Sequence, residues 1–166
     1  EVGGSYAFST AYGDFALGVD ARQLDAYDVT LANGDLQMAA GYVLGGSRNN
    51  FVDFKMNTSL SWTMGDMFAS ATLQHFGEGK GVANNPPTMT SAGLVTETTR
   101  DIEAITYLDV QYGMVLPEYN ATVRVGIDNV LDENPTFFPE TFANDFDPAY
   151  RTWGSMHYYA NVSVNF

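Results

Sequence analysis

The sequence lacks residues that define several large classes of protein. It has no cysteine, only 7 lysines and arginines, and only 2 histidines among 166 residues. Without cysteine, the chain can form neither disulfide bonds nor thiolate metal sites. Its basic residues are set against 20 aspartates and glutamates, which gives a formal net charge of −13. A surface this acidic repels phosphate groups, so we predict that the chain does not bind nucleic acid.

Long apolar runs are also missing. The chain has no run of about 18 consecutive apolar residues, which is the length a transmembrane helix needs. A membrane-spanning β-barrel needs no such run, because each of its strands is apolar on one side only. The 16 glycines, 10 tyrosines and 11 phenylalanines favour strands and turns over helices. We therefore predict an all-β protein.

The last part of the chain has the clearest pattern. Its alternate residues are apolar or aromatic, namely Met156, Tyr158, Ala160, Val162, Val164 and Phe166. Because side chains of a strand alternate with a period of two, this run predicts a strand with one apolar face. The run is long enough to cross a bilayer as a tilted strand, and it stops on an aromatic residue. It resembles the terminal strand of bacterial outer-membrane barrels, whose final aromatic residue is an assembly signal.

Similar alternation predicts six further strands, so we expect about seven in all. They fall near residues 5–12, 15–22, 55–64, 69–74, 107–114 and 121–128. Short turns alternate with long connections between them. Outer-membrane barrels have this asymmetry, with tight turns in the periplasm and long loops outside the cell.

The long connections are predicted to be mostly irregular. In the first, residues 23–50, we predict a strand-like flap around Asp35 to Leu44. The second, Glu78 to Glu103, contains several glycines, Pro86-Pro87 and a threonine-rich run, so we predict that it sustains no ladder in the middle of a sheet.

The third long connection, Asp132 to Ser155, supplies the candidate ligand site. Its rings could stack on a sugar or on the aryl groups of an iron chelator, or could instead pack the loop against the barrel rim. The residues predicted to bind a ligand are Phe138, Phe142, Phe146, Tyr150, Arg151 and Trp153.

The same connection contains four acidic residues that could ligate calcium, but they lack EF-hand spacing and such residues are usually just solvated. They are Asp132, Glu133, Asp145 and Asp147. We predict no metal and no cofactor. The two histidines, His75 and His157, fall on separate strands, and no catalytic constellation is evident around them. We therefore predict that the chain is not an enzyme.

Alternation also assigns residues to the two faces of the predicted wall. Four charged residues are predicted to face the barrel interior, namely Lys55, Asp109, Arg124 and Asp128. Six residues form the predicted membrane and assembly signature, namely Trp62, Tyr112, Tyr158, Val162, Val164 and Phe166.

From Tyr107 onward the sequence resembles the carboxyl end of TonB-dependent receptors, the energised nutrient transporters of the outer membrane. The most specific part is Val125 to Pro135, VGIDNVLDENP, which is similar to the family element G-V-N-N-L-F-D-x-x-P. Asp128 and Leu131 depart from that element, where asparagine and phenylalanine are common. The segments Phe146 to Tyr150 and Leu60 to Leu73 are also similar to the family.

The resemblance implies an antiparallel transmembrane barrel of about 22 strands closed around a plug domain. Residues 1–166 would then be a carboxyl-terminal portion, with the plug and the earlier strands outside this chain. Counted back from a periplasmic carboxyl end, an odd number of strands puts residue 1 outside the cell. We therefore expect a piece of a longer receptor, either cut in a surface loop, encoded as a split subunit or represented in part.

The implied function is binding and import of a scarce nutrient, with ferric siderophore as the default and oligosaccharide or vitamin as alternatives. The implied partners are outer-membrane lipid and lipopolysaccharide, the rest of the receptor, the TonB complex through that part, and a small-molecule ligand. Two rival interpretations are a passive channel or structural barrel and a soluble β-sandwich binding protein.

Overall fold

The computed structural model describes residues 1–44, 52–83, 85–139 and 155–165. Within these ranges the chain is all-β, and its single helical element is a 3₁₀ turn at Pro117–Tyr119. No helix there is long and apolar enough to cross a membrane. The prediction of an all-β protein with antiparallel sheets is confirmed.

Seven long strands form one sheet, in which every pairing is antiparallel. They are β1 (Val2–Thr10), β2 (Gly13–Gln23), β6 (Phe54–Met64), β7 (Met67–Phe76), β12 (Ile105–Leu116), β13 (Ala121–Asp128) and β14 (His157–Val164). Their order in the sheet follows the chain, and β1 and β14 are the two edges. The seven strands predicted from alternation therefore exist and pair as neighbours, but they are not closed into a barrel within the described residues.

Short and long connections alternate strictly along this sheet. Residues 11–12, 65–66 and 117–120 make tight turns at one end of it, which we call the turn end. Residues 24–53, 77–104 and 129–156 make three long connections at the other end, which we call long loops 1, 2 and 3 and the loop end. The predicted asymmetry between the two ends is present.

Two small sheets lie within long loops 1 and 2, and each of them combines strands from both loops. The four-stranded one contains β3 (Asp28–Thr30), β4 (Leu36–Met38), β9 (Thr88–Thr90) and β10 (Gly93–Val95). The three-stranded one contains β5 (Tyr42–Leu44), β8 (Gly79–Val82) and β11 (Arg100–Ile102). The pairing of β5 with β8 is parallel. The predicted flap therefore contains β4 and β5.

The prediction for long loop 2 is wrong in one respect. Strands β8 and β9 are inner strands of the small sheets, although the segment was expected to sustain no ladder in the middle of a sheet. The strands of the small sheets are only three or four residues long, so Pro86 and Pro87 precede β9 and do not interrupt it. Gly81, within β8, is buried under the ring of Phe138, which supplies the packing that glycine lacks.

The register of the large sheet fixes which side chains share a face, because directly paired residues of neighbouring strands point the same way. One row crosses all seven strands through apolar residues, namely Phe8, Phe15, Trp62, Ala69, Tyr112, Val125 and Ala160. The next row is mostly polar, namely Ser9, Asp14, Thr63, Phe68, Gly113, Arg124 and Asn161. Alternate rows continue this division, so the sheet has an apolar face and a polar face.

The main buried cluster lies at the loop end, and we call it the cap core. It consists of Val43, Val52, Ile102, Ile105, Tyr107 and Phe138, with Phe76 packed against it. By register, Phe76, Ile105 and Tyr107 belong to the polar face, which becomes apolar where the loops cover it. Described residues of all three long loops therefore pack over the loop end of the polar face, and none of the cap core lies on the apolar face.

Candidate functional site

Most side chains on the apolar face of the large sheet are exposed or half-buried. Leu60, Val125 and Val162 lie on three different strands and are 41%, 49% and 64% exposed. The cap core occupies the opposite face, so the loop residues that the structure describes do not shield these side chains. An apolar surface that extends over seven strands is far larger than the scattered apolar residues of a typical soluble surface. It can therefore bind lipid or another apolar protein surface.

Five of the six residues of the membrane and assembly signature lie on this apolar face, namely Trp62, Tyr112, Tyr158, Val162 and Val164. Phe166 lies outside the described residues. Trp62 is held in place by its indole Nε1, which donates a hydrogen bond to the carbonyl oxygen of Tyr12 at 2.6 Å. This bond ties β6 to the neighbouring tight turn, because Tyr12 lies between β1 and β2. The indole thus sits at the turn end, with its polar atom satisfied.

The four charged residues predicted to face an interior all lie on the polar face, at rows that alternate with the apolar ones. The Nζ of Lys55 lies 5.2 Å from the ring centre of Phe76, next to the cap core. The guanidinium of Arg124 lies 5.6 Å from the ring centre of Phe68. Both cations therefore rest on aromatic rings, an arrangement that favours positive charge. Whether this face lines a barrel interior stays a prediction.

Asp109 and Asn129 form a cluster of hydrogen bonds directly after the end of β13. The Oδ1 atom of Asp109 accepts a hydrogen bond from the backbone N–H of Asn129 at 2.8 Å. Asn129 is 2% exposed and has a φ of 55°, a left-handed conformation that asparagine tolerates better than most residues. Its side chain donates to the carbonyl oxygen of Glu133 and accepts from the N–H of the same residue. Asp109 thus anchors the start of long loop 3.

Sequence reasoning did not identify Asn129 as a structural residue, although it lies inside the element that carries the family resemblance. The signal was available, since Asn129 directly precedes a segment with no alternation. Asp132, one of the acidic residues weighed as a calcium ligand, has a structural role too. Its Oδ1 accepts a hydrogen bond from the N–H of Met156 at 3.0 Å, which connects the two ends of long loop 3.

Two aromatic rings cover glycines on the polar face. A Cβ atom added at Gly113 would collide with the ring of Phe68, which lies across it from the paired position on β7. A Cβ added at Gly126 would collide with the ring of Tyr159, from the paired position on β14. The Tyr159 hydroxyl donates beyond that glycine to Oε1 of Gln111 at 3.3 Å. Each glycine therefore lets a ring span one strand and reach a polar side chain on the next.

We expect Gly113→Ala to lower the free energy of unfolding by about 1–3 kcal/mol, because the added methyl group displaces the Phe68 ring. Gly4→Ala is the matched control, since a Cβ there meets nothing within 4 Å, and it should be neutral or stabilising. Denaturant unfolding of the refolded protein measures both. The double variant Phe68→Ala/Gly113→Ala should lose less free energy of unfolding than the sum of the losses in the two single variants. Additive losses would contradict the contact between the Phe68 ring and Gly113.

Phe138 is the one predicted ligand-binding residue that lies among the described residues. It is 1% exposed and forms part of the cap core, and its ring packs on Gly81. This placement corresponds to the packing alternative for the aromatic loop, because the ring face is covered by protein. The other residues predicted to bind a ligand lie outside the described residues, namely Phe142, Phe146, Tyr150, Arg151 and Trp153.

A cleft of about 490 Å³ opens beside the cap core between long loops 1 and 2. Its lining includes the carboxylates of Asp53, Glu78, Asp101 and Glu103. Lys80 also lines it and forms an ion pair with Asp101, with both side chains more than half exposed. The hydrogen bond from Lys80 to Asp101, and then the charge of Asp101, raise the pKa of the lysine above its ordinary value of 10.5.

We expect Asp101→Asn to lower the Lys80 pKa and so to increase the rate at which acetic anhydride acylates that amine at alkaline pH. The folded pKa lies above 10.5, so the stabilising effect of the pair is complete below 10.5 and is lost as pH rises through the folded pKa. Peptide mass spectrometry measures the acylation rate. Glu118→Gln, at the turn end, should leave it unchanged, and an equal rate in Asp101→Asn would refute the assignment.

The acidic cleft does not assemble into a metal site. In the described part of the chain, no group of three or more His, Cys, Asp or Glu side chains is arranged to hold a metal ion. Asp145 and Asp147, two of the residues weighed as calcium ligands, lie outside those residues.

The two histidines lie on separate strands, and each is close to a hydroxyl group. His75 Nδ1 lies 2.8 Å from Oγ1 of Thr106, and His157 Nε2 lies 3.4 Å from Oγ of Ser155.

Comparisons of the chain with protein-family models, with curated proteins and with solved structures give no match. The chain's own geometry, with an exposed apolar face, a polar face and a loop cap, therefore carries the functional argument.

Proposed function

We propose that this chain is a carboxyl-terminal wall segment of a TonB-dependent receptor in the bacterial outer membrane. The single observation that carries the proposal is the mostly apolar face that extends over seven antiparallel strands, backed by a polar face. Lipid hydrocarbon is the environment that such a face fits, and an aqueous interior is what the opposite face fits. The long loops would be extracellular and the carboxyl terminus periplasmic.

The proposed activity of the whole receptor is energised import of a scarce nutrient, with a ferric siderophore as the first candidate and oligosaccharide or vitamin as alternatives. Further strands and a plug would complete the receptor, and the plug would engage the TonB complex. The cap supports this role, because loops that fold over the polar face would narrow the extracellular opening of the complete receptor. The sequence element from Val125 to Pro135 supports the family assignment.

Because this chain contains no cysteine, a cysteine introduced into it is the only one within these residues and can be followed by peptide mass spectrometry in a direct test of the wall. Val125→Cys and Thr122→Cys lie on the same strand and on opposite faces. In outer-membrane vesicles made from cells that express the intact protein, a water-soluble maleimide should react at position 122 and not at position 125. A bilayer-soluble maleimide should react at position 125. Rapid aqueous labelling at both positions would refute the membrane wall and favour a soluble protein.

Transport is tested separately, with radiolabelled ferric siderophores and cells that lack or carry the intact protein. Uptake should require the protein and should stop when an uncoupler dissipates the inner-membrane proton gradient. Uptake that continues without this energy would favour a passive channel. If no siderophore is taken up but positions 122 and 125 react with the maleimides as expected, the membrane-wall assignment stands. Sugars and vitamins would then be tested as substrates.

A further inference from the structure

We infer that Asn33 is a site of spontaneous deamidation, at which the backbone nitrogen of Gly34 attacks the side-chain amide and releases ammonia. The modification needs no enzyme, and its one co-reactant is water. It places a new negative charge at the tip of the β3–β4 hairpin in long loop 1. The inference does not depend on the proposed function, because it concerns only an exposed hairpin tip and water.

The first argument is the residue that follows Asn33. It is the only asparagine of the sequence that precedes a glycine, and both residues are exposed between β3 and β4. Other residues carry a Cβ that obstructs the approach of their nitrogen to the asparagine side chain, whereas glycine does not. A Cβ built at Gly34 meets nothing within 4 Å, so the tip also has room for a ring to form. Asn33 is therefore the asparagine with the least hindered attack.

The second argument is that the turn holds the Asn33 side chain by both of its polar atoms. Its Oδ1 accepts a hydrogen bond from the backbone N–H of Asp35 at 3.1 Å. Its Nδ2 donates to Oδ2 of Asp35 at 2.7 Å. A donor on Oδ1 withdraws electrons from Cγ and stabilises the negative charge that this oxygen gains when the carbon is attacked. The amide is thus polarised for attack in the folded chain.

One hydrogen bond opposes the reaction. The N–H of Gly34 donates to the carbonyl oxygen of Leu31 at 2.9 Å, and this bond must break before the nitrogen can lose its proton and attack. The bond lies at an exposed tip, and strands β3 and β4 are only three residues long, so local opening costs little. Loss of one such hydrogen bond should slow the folded chain by about tenfold at most.

The covalent steps balance with water alone. The Gly34 nitrogen forms a bond to Cγ of Asn33 and loses its proton, the bond between Cγ and Nδ2 breaks, and Nδ2 leaves as ammonia with that proton. The product is a cyclic succinimide. Water then opens the ring at Cγ, which gives aspartate, or at the backbone carbonyl carbon, which gives isoaspartate. No electron is gained or lost, and the net change is an amide replaced by a carboxylic acid.

The product destabilises the hairpin in which it forms. A carboxylate at position 33 cannot donate, so the hydrogen bond to Asp35 is lost and two like charges stand in its place. Isoaspartate also adds a carbon atom to the backbone of the tip, which displaces the bond between the Leu31 N–H and the Asp35 carbonyl oxygen. Because β4 also pairs with β9, the loosening should extend to long loop 2.

The experiment incubates the intact folded protein in mildly alkaline buffer made with heavy-oxygen water and follows it by peptide mass spectrometry. We expect position 33 to gain one heavy oxygen and to yield both aspartate and isoaspartate, since only the succinimide route gives isoaspartate. A protease that cleaves before aspartate but not before isoaspartate distinguishes the two. Asn120 is the matched control, because it lies in another exposed turn but precedes alanine, and it should convert at least about tenfold more slowly.

The same protein unfolded in guanidinium chloride gives the rate without the turn, and the folded rate should lie within about tenfold of it. Asn33→Gln keeps the amide but needs a larger ring, so it should convert at least about tenfold more slowly. Aspartate without isoaspartate would show direct hydrolysis and overturn the inference. So would equal conversion at Asn120, or an unmodified position 33 in folded protein when the unfolded protein converts.

The effect on the hairpin is measured separately. Asn33→Asp supplies the new charge from the start, and hydrogen exchange in β3 and β4 should become about fivefold faster than in the unmodified protein. Asn33→Gln, which keeps a neutral side chain that can donate, should change exchange less. Equal exchange in Asn33→Asp and the unmodified protein would overturn the inferred loosening.

Discussion

Leu60→Arg should lower the free energy of unfolding in lipid vesicles by about 2–4 kcal/mol, the cost of a basic residue at mid-bilayer on the lipid face of a barrel. Leu60 lies near the middle of β6, on the apolar face, and is 41% exposed in the chain by itself. If that face contacts acyl chains, arginine must either leave water or distort the bilayer. The intact protein, refolded into phospholipid vesicles and unfolded with guanidinium chloride, provides the measurement.

Ser61→Arg is the matched control, because Ser61 is the next residue and lies on the polar face. It should change stability by less than about 0.5 kcal/mol, as an exposed polar position normally does. A side chain that is 41% exposed to water in a soluble protein should also tolerate arginine at little cost. Equal, small effects of both substitutions would therefore show that the apolar face does not contact lipid.

Phe138→Ala should destabilise the loop cap by about 3–5 kcal/mol, the usual cost of removing a buried aromatic ring. Phe138 connects long loop 3 to the other two loops, since it packs in the cap core and on Gly81. Hydrogen exchange followed by mass spectrometry should detect the loss as faster exchange in β5, β8 and β11. The long strands should keep their protection, because their ladders do not depend on this ring.

Phe137→Ala is the control for the cap, since Phe137 is 62% exposed and adjacent in sequence. Its exchange pattern should match that of the unmodified protein. The comparison is made without any ligand, so it separates packing from ligand binding. If Phe138→Ala left exchange in the cap unchanged, the ring would not be a packing residue, and its predicted role in ligand contact would regain support.

The wall could be predicted from sequence because period-two alternation is a local property. Each long strand, such as β6 or β13, shows its apolar face in its own residues. Two of the three tight turns contain glycine or proline, and Gly13 directly follows the third. The short connections then make β1 and β2, β6 and β7, and β12 and β13 neighbours in the sheet. Directly paired rows confirm that Trp62, Tyr112 and Val125 share a face, as alternation predicts.

The loop cap could not be predicted in the same way, because its core joins residues far apart in the chain. Val43, Ile102 and Phe138 come from three different loops, and no local period connects them. Phe138 was therefore assigned to ligand contact on residue type alone. Strand β8 was missed because its two glycines argue against a ladder, and the ring that compensates for Gly81 lies more than fifty residues away.

The contacts of the Phe68 ring with Gly113 and of the Tyr159 ring with Gly126 could have been predicted from the sequence by looking for aromatic residues on the polar face. Phe68 and Tyr159 are aromatic residues on a face that is otherwise rich in hydroxyl and amide groups. Once the register is known, each stands directly opposite a glycine. An aromatic residue at a position where the alternation calls for a polar one therefore predicts a glycine at the paired position of the adjacent strand.

The interleaving of long loops 1 and 2 limits how this surface can be re-engineered. Both small sheets take strands from both loops, so grafting a foreign loop in place of either one removes strands from both sheets. Peptide tags or new epitopes should instead be tolerated at the hairpin tips, at Asn33 and Gly34 or at Ser91 and Ala92, where the chain reverses outside the ladders. Diversification by small insertions can proceed there while the scaffold beneath stays the same.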